Sequence, residues 1–253
     1  LDAWAGYNVS VDDAKRLASL VDGLGDGALL KPVGSFAGSG DDTVLVSSGV
    51  DLYSGGSGND VLDFSRVAVP VHVDLSKGIA TFGTGKNGVT DKISGFETIV
   101  GNDAAGRYVG ADKTGTWFIG GDSADWFRGK GGADTLTGNG GADTFAYLKK
   151  DTAGGAVDRI TDFTVGTDRL DMSDFLKGHK NYAESVRFAD AGDDTVVQGL
   201  VNHKWVDVVT LDGRPLTGLT VEERVELGVR LVPERRELFG HMSVDDNLIL
   251  GAY

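Results

Sequence analysis

The sequence predicts an all-β fold, a solenoid of short parallel strands, and three observations predict it. A nine-residue phrase recurs from residue 37 onward. One fixed place in each copy is apolar or aromatic. The composition is that of a chain made of tight bends, with 39 Gly in 253 residues and 38 acidic residues of which only 7 are Glu. Asp and Gly favour turns, whereas Glu would favour helices. Self-similarity at a short period marks a solenoid, in which each unit buries its apolar face only against the next.

Composition also excludes several classes of protein. The chain has no Cys, which removes disulfide frameworks, thiolate zinc sites and thiol nucleophiles. No apolar run approaches the ~18 residues of a membrane span. A net charge of −14 argues against partners that present phosphates, whether nucleic acid or an anionic bilayer. Asp-rich bends point instead to oxygen-loving cations. The chain opens at Leu1 with no charged-and-apolar targeting pattern and is expected to be a segment of something longer.

Residues 1–30 are the most helix-like. Ser10 is placed as an N-cap, Asp12 and Asp13 sit in the first turn, and Ala14, Leu17, Leu20 and Val21 follow at helical spacing up to Gly23. The expected role is a helix that caps one end of the solenoid, with docking as the alternative.

The solenoid is expected over 31–180. Three units run in phase: AGSGDDTVL at 37–45, VSSGVDLYS at 46–54 and GGSGNDVLD at 55–63. The phrase returns as GGDSADWFR at 120–128, GKGGADTLT at 129–137 and GNGGADTFA at 138–146, with worn copies at 102–110 and 111–119. The first six residues of a unit read as a turn and the last three as a strand. Position eight (Val44, Tyr53, Leu62, Val109, Phe118, Phe127, Leu136, Phe145) alternates inward and builds the core. Position six is Asp except at Arg107 and Thr116. Gly supplies the positive φ values of the turn and lets carbonyls converge. The interruption at 64–101 contains alternating Val67, Val69, Val71 and Val73 and reads as further strands of the same solenoid.

Residues 181–220 read as a hairpin-like pair that caps the far end, VRFADAGDDTVVQG followed by KWVDVVTLDG. The tail 221–253 changes composition, with five of the seven Glu between 222 and 237, and is expected to form a small α/β element or to stay loose.

The repeat resembles that of the RTX, or hemolysin-type calcium-binding, family. GGSGNDVLD at 55–63 fits the family unit at every fixed position, and the likeness runs through VHVDLSKGIATF, ISGFETIVGND and DRITDFTVGTDRLDMSDF to about residue 210. It implies a parallel β-roll, export through a type I secretion machinery and a secreted, extracellular location. Separately, 211–253 resembles a fragment of the ATP-binding subunit of branched-chain amino-acid ABC transporters. No GxxxxGK[ST] accompanies it, so ATP hydrolysis is rejected.

In the family two units make one coil, which implies that stacked turns lie eighteen residues apart. Asp42 pairs with Asp60 at that offset, and Asp125 with Asp143. Each pair is expected to clamp one calcium ion, Ca2+, with six or seven oxygen ligands completed by turn residues Gly38, Gly40, Gly55, Ser57, Gly121, Ser123, Gly138 and Gly140. Asp134 faces Thr116 and Thr152 and forms an incomplete third site; Asp51 faces Val33 and Val69 and is expected to bind nothing. The competing reading of an isolated Asp in a Gly-rich bend is an Asx-turn to its own backbone. Asp158, Asp162, Asp168 and Asp171 recur in the closing segment and read as solvated or capping carboxylates, with calcium ligation as the alternative.

The expected function follows: a calcium-binding module without catalysis that folds on calcium after export, because metal binding free energy becomes folding free energy. No HExxH or GxSxG occurs, and His72, His179, His203 and His241 are scattered. The alternatives are an adhesin or polysaccharide-binding module like those attached to alginate epimerases, and the non-catalytic part of a secreted enzyme such as a protease or lipase. Trp117 and Trp126 next to Phe118 and Phe127 read as outward tryptophans beside core phenylalanines, with a sugar-stacking face as the alternative.

Overall fold

The computed structural model describes residues 34–47, 49–83, 88–177 and 185–213. The capping helix expected within 1–30 and the tail 221–253 lie outside the described residues.

The described residues form two nine-stranded sheets. The first holds, in spatial order, β1 (Gly34–Ser39), β3 (Leu52–Ser57), β7 (Val89–Ser94), β6 (Ile79–Phe82), β5 (Val71–Asp74), β9 (Arg107–Val109), β11 (Trp126–Arg128), β13 (Thr144–Ala146) and β15 (Arg169–Asp171). The second holds β16 (Val186–Ala191), β17 (Asp194–Val201), β18 (Lys204–Leu211), β14 (Asp158–Ile160), β12 (Thr135–Thr137), β10 (Trp117–Ile119), β8 (Thr98–Val100), β4 (Val61–Asp63) and β2 (Thr43–Leu45). The chain alternates between the sheets, one strand in each per coil, and within the roll the pairing is parallel except around the inserted hairpin. This is the predicted β-roll.

The register gives the length of each coil. Thr43 pairs with Val61, Trp117 with Thr135 and Trp126 with Thr144, all eighteen residues apart. Two pairings stretch to nineteen, Thr98 with Trp117 and Arg107 with Trp126, because the turn between β9 and β10 carries one extra residue. The last coil is longer still: Thr135 pairs with Arg159 and Thr144 with Arg169. A 3-10 turn at Lys149–Gly154 fills most of that excess.

The inner positions form two facing columns. One runs Val44, Leu62, Ile99, Phe118, Leu136, Ile160, Leu211; the other includes Val73, Tyr108, Phe127, Phe145 and Leu170, all buried. Strands ~4.8 Å apart set aromatic rings at stacking distance. The Tyr108, Phe127 and Phe145 rings accordingly stack with centroids 5.1 and 5.2 Å apart. Seven of the eight position-eight residues are core. Val109 is the exception, half-buried, with Tyr108 in its place. The extra residue between β9 and β10 displaces the worn copy by one, and a one-residue slip moves every side chain to the other face.

The interruption adds strands to both sheets, β8 to the second and β5, β6 and β7 to the first, and those three pair antiparallel in succession, β5 with β6 and β6 with β7. Only Val71 and Val73 of the alternating valines are in a strand and buried; the strand starts after Pro70. The side-chain amide of Asn102 donates to the Val67 and Val69 carbonyls and ties the preceding segment to the roll. At the far end, the segment read as a hairpin-like pair forms three strands, β16 to β18, because a turn at Gly192 divides the first of the two. β18 pairs parallel with β14 and so joins this meander to the last coil.

Candidate metal centre

Each three-residue strand is preceded by a bend, and the last residue of the bend is position six. Stacking the coils stacks these residues into two columns, one along each edge of the roll. In the column leading into the second sheet, the Asp42 N–H donates to Asp60 Oδ1 (2.9 Å), the Asp60 N–H to Glu97 Oε2 (2.9 Å), the Thr116 N–H to Asp134 Oδ1 (2.8 Å) and the Asp134 N–H to Asp158 Oδ1 (3.0 Å). In the other column, the Gly106 N–H donates to Asp125 Oδ1 (2.6 Å), the Asp125 N–H to Asp143 Oδ1 (2.8 Å) and the Asp143 N–H to Asp168 Oδ1 (3.0 Å). One oxygen of each carboxylate thus satisfies a backbone donor of the neighbouring coil, a bond across coils that an Asx-turn within one bend does not make.

The second oxygen is different. Asp42, Asp60, Asp91, Asp134 and Asp143 each leave Oδ2 buried without a hydrogen-bond partner. Four of these are aspartates nominated from spacing. Asp125, the fifth, is closed, since its Oδ2 accepts the Gly121 N–H at 2.9 Å. Burying a charge without a counterion is strongly unfavourable. Desolvation therefore lifts the carboxyl of Asp143 to about 7, and that of Asp134 to about 7, against the hydrogen bonds from Asp125 and Thr116. It lifts Asp158 to about 8, helped by the nearby charge of Asp134, and Asp91 to about 6. The Asp125 carboxyl is raised by the same cause.

The turn residues explain why glycine is required. A Cβ on Gly55 would lie 2.7 Å from Asp60 Oδ2, and one on Gly138 would run into Asp143 Oδ2. Gly56 and Gly58 likewise leave room for the carbonyls of Gly38 and Gly40 on the neighbouring coil. Gly132 and Gly141 hold φ of +103°, where side chains are strained. Of the other nominated residues, Gly121 and Gly140 are linked by a hydrogen bond from the Gly140 N–H to the Gly121 carbonyl (3.1 Å), and Ser123 Oγ donates to the Asp103 carbonyl (2.5 Å). Ser57 is exposed, and its carbonyl accepts the Gly40 N–H (2.9 Å).

Two partners differ from the eighteen-residue arithmetic. On the side where the arithmetic places Val69, the Asp51 N–H donates to Asp91 Oδ1 (2.8 Å), and Asp51 Oδ2 accepts the Ser47 and Tyr53 hydroxyls. The hairpin insertion moves the stacking partner to residue 91. Asp134 meets Asp158 rather than Thr152, because Thr152 belongs to the 3-10 turn that lengthens the coil. Asp158 and Asp168, read from the sequence as solvated or capping, are buried rungs. The signal was available in VDRI and TDRL, which repeat the acid–x–apolar pattern of ADTL and ADTF.

Among the described residues no three Asp, Glu or His side chains gather into one cluster. The arrangement offers a hard cation one or two carboxylate oxygens from the column plus carbonyls from the bends, the donor set that calcium takes. The aromatic pairs are placed as read: Phe118 and Phe127 are in the core, Trp117 is 46% exposed, and Trp126 lies under the Arg107 guanidinium at 3.5 Å.

Comparison with known proteins adds the following. The family described as Peptidase M10 serralysin C terminal matches residues 33–212. No curated protein matches the sequence. A similar solved structure is that of the AlgE6R3 subunit from the Azotobacter vinelandii mannuronan C5-epimerase, at 20% identity and a TM-score of 0.35, covering 86% of this chain and 92% of that one.

Proposed function

The chain belongs to the Peptidase M10 serralysin C-terminal family, an RTX-type β-roll, and from that premise we propose that it is the calcium-dependent folding module of a secreted protein. In this reading it leaves the cell through a type I secretion machinery and folds on meeting calcium outside. Any catalytic activity belongs to another part of the protein. The observation that carries the reading is the set of buried carboxylate oxygens of Asp42, Asp60, Asp134 and Asp143 that have no donor. Stacking acidic bends in register is unfavourable until a divalent ion lies between them. Extracellular calcium modules bind with Kd of about 10⁻⁴–10⁻³ M, so the same chain would stay loose at cytosolic calcium.

Bound calcium would supply positive charge between neighbouring bends. The chain's own part is to hold the oxygens: Asp60 and Asp143 through the N–H groups of Asp42 and Asp125, and the bend carbonyls through glycines that admit no side chain. Calorimetric calcium stoichiometry of the wild type against Asp60→Ala and Asp143→Ala tests this. Each variant should lose at least one ion; unchanged stoichiometry in both would end the reading.

A second reading, attachment to a polysaccharide or cell-surface ligand, draws on Trp117, which stands 46% exposed on the outer face of the second sheet. Trp117→Ala should then abolish retention on a glycan array in calcium while leaving the fold intact. Equal retention would remove this reading.

A further inference from the structure

We propose that the outer face of the first sheet binds a linear anionic polysaccharide, one whose sugars carry carboxylates or sulfates, and that Arg107 and Arg169 hold those groups. The proposal goes beyond the glycan reading of Trp117, which lies on the other sheet, and needs only that the roll be folded.

Strand side chains alternate, and residues in register on neighbouring strands share a face. Val73, Tyr108, Phe127, Phe145 and Leu170 take the inward places and are buried. The residue before each of them therefore points outward. Register runs from His72 to Arg107, Trp126, Thr144 and Arg169, straight across β5, β9, β11, β13 and β15. His72, Arg107 and Arg169 are exposed, and Trp126 and Thr144 are half-buried. Four steps of ~4.8 Å make this row about 19 Å long. Lys92 of β7 is exposed on the same face, in register with Ile79 of β6.

The chain carries a net charge of −14, yet this row contains cations and no acid. The acids that reach the face are engaged locally. Asp74 holds Lys77 (2.7 Å) and Ser76, Asp151 holds Arg128 through both oxygens, and Asp171 accepts the Ser173 N–H (3.1 Å). Among the described residues Lys92, Arg107 and Arg169 have no ion-pair partner. Arg107 is the best prepared of them. Its guanidinium lies 3.5 Å over the Trp126 ring, and stacking fixes the plane of the group. No hydrogen bond among the described residues uses its N–H groups, so the fork is open to a planar anion. Burial, then the charge of Arg128, lowers the Arg107 pKa, while Asp74 offsets part of this; an arriving anion relieves the remainder. A basic row on an acidic molecule selects its partner by charge.

The form of the row selects a sugar chain. It crosses the strands in mid-sheet, where an extended peptide finds no free backbone edge to pair with. Its charged groups are separated by an indole and the Thr144 hydroxyl, which suit sugar rings and hydroxyls between anionic groups.

Binding of the full chain to immobilised oligogalacturonate (carboxylated) and heparin oligosaccharide (sulfated), in calcium at low salt, tests this. At least one should be bound, more weakly as salt is raised, and the preferred one assigns the anionic group. Neutral dextran should not be bound. Arg107→Gln/Arg169→Gln should lose at least tenfold in affinity with an unchanged circular dichroism spectrum, whereas Trp117→Ala should bind as wild type. Should the double variant fail to fold, Arg169→Gln alone decides, with a weaker loss expected. Binding of neither anionic sugar by folded wild type would overturn the proposal and leave the calcium reading standing, as would full affinity in the arginine variants. Equal binding of polyglutamate would overturn the choice of a polysaccharide, and a loss confined to Trp117→Ala would move the site to the other sheet. A chain that stays unfolded in calcium would overturn the wider reading as well.

Discussion

Replacing Asp143 by Asn separates two roles of one carboxylate. Oδ1 accepts the Asp125 N–H, and an amide oxygen can do the same; Oδ2 is buried with no donor, and there the amide puts an uncharged NH2 group in place of the charged oxygen. The folded-state pKa of about 7 lies roughly three pH units above the ordinary 3.8, so at 1.36 kcal/mol per unit ionisation in the fold costs about 4 kcal/mol at most. In chelator at pH 8, Asp143→Asn should therefore be the more stable chain, by up to about that amount. Calcium should shift the comparison. For a site with Kd of 10⁻⁴–10⁻³ M, about 10 mM calcium stabilises by about 1.4–2.7 kcal/mol, and the variant forfeits that increment at each site Asp143 serves. Urea unfolding followed by circular dichroism, in chelator and in calcium, measures both numbers. A variant that is weaker in chelator yet gains as much from calcium as wild type would refute the reasoning.

Other perturbations follow from the same structure. Without calcium, stability should fall as pH rises from about 4 to about 8. Asp91, Asp134, Asp143 and Asp158 have folded pKa values of about 6 to 8, so the folded chain retains protons that the unfolded chain has released, and each retained proton gives a slope of about −1.36 kcal/mol per pH unit. Saturating calcium should flatten that profile by displacing the protons; thermal midpoints across the range, with and without calcium, check it. Phe127→Ala empties the centre of the Tyr108–Phe127–Phe145 stack and should cost about 3–5 kcal/mol, seen as a lower urea midpoint in calcium. Asn102→Ala strips the donor from the Val67 and Val69 carbonyls and should cost about 1–3 kcal/mol, with proteolysis between 64 and 70 as the local readout.

Most of the roll was legible in the sequence because its two decisive features are local. An apolar residue at position eight and an acid at position six recur wherever the nine-residue unit is intact, and Leu62, Phe127, Leu136 and Phe145 are buried as read. What was not legible depends on length changes in the bends. The extra residue between β9 and β10 leaves the sequence pattern equally compatible with Val109 or Tyr108 in the core, and packing against Phe127 selects Tyr108. Asp91 as the partner of Asp51, and Asp158 as the partner of Asp134, needed the hairpin and the 3-10 turn, which no fixed offset anticipates. The orphaned oxygens were beyond the sequence altogether, since composition reveals carboxylates but not which face of each lacks a donor.

Far-UV circular dichroism of the chain, first in chelator at neutral pH and then after addition of millimolar calcium, tests most directly whether the ion makes the fold. A weak β signal that rises to that of a folded roll on addition is the predicted result. A full β signal in chelator that calcium leaves unchanged would contradict it.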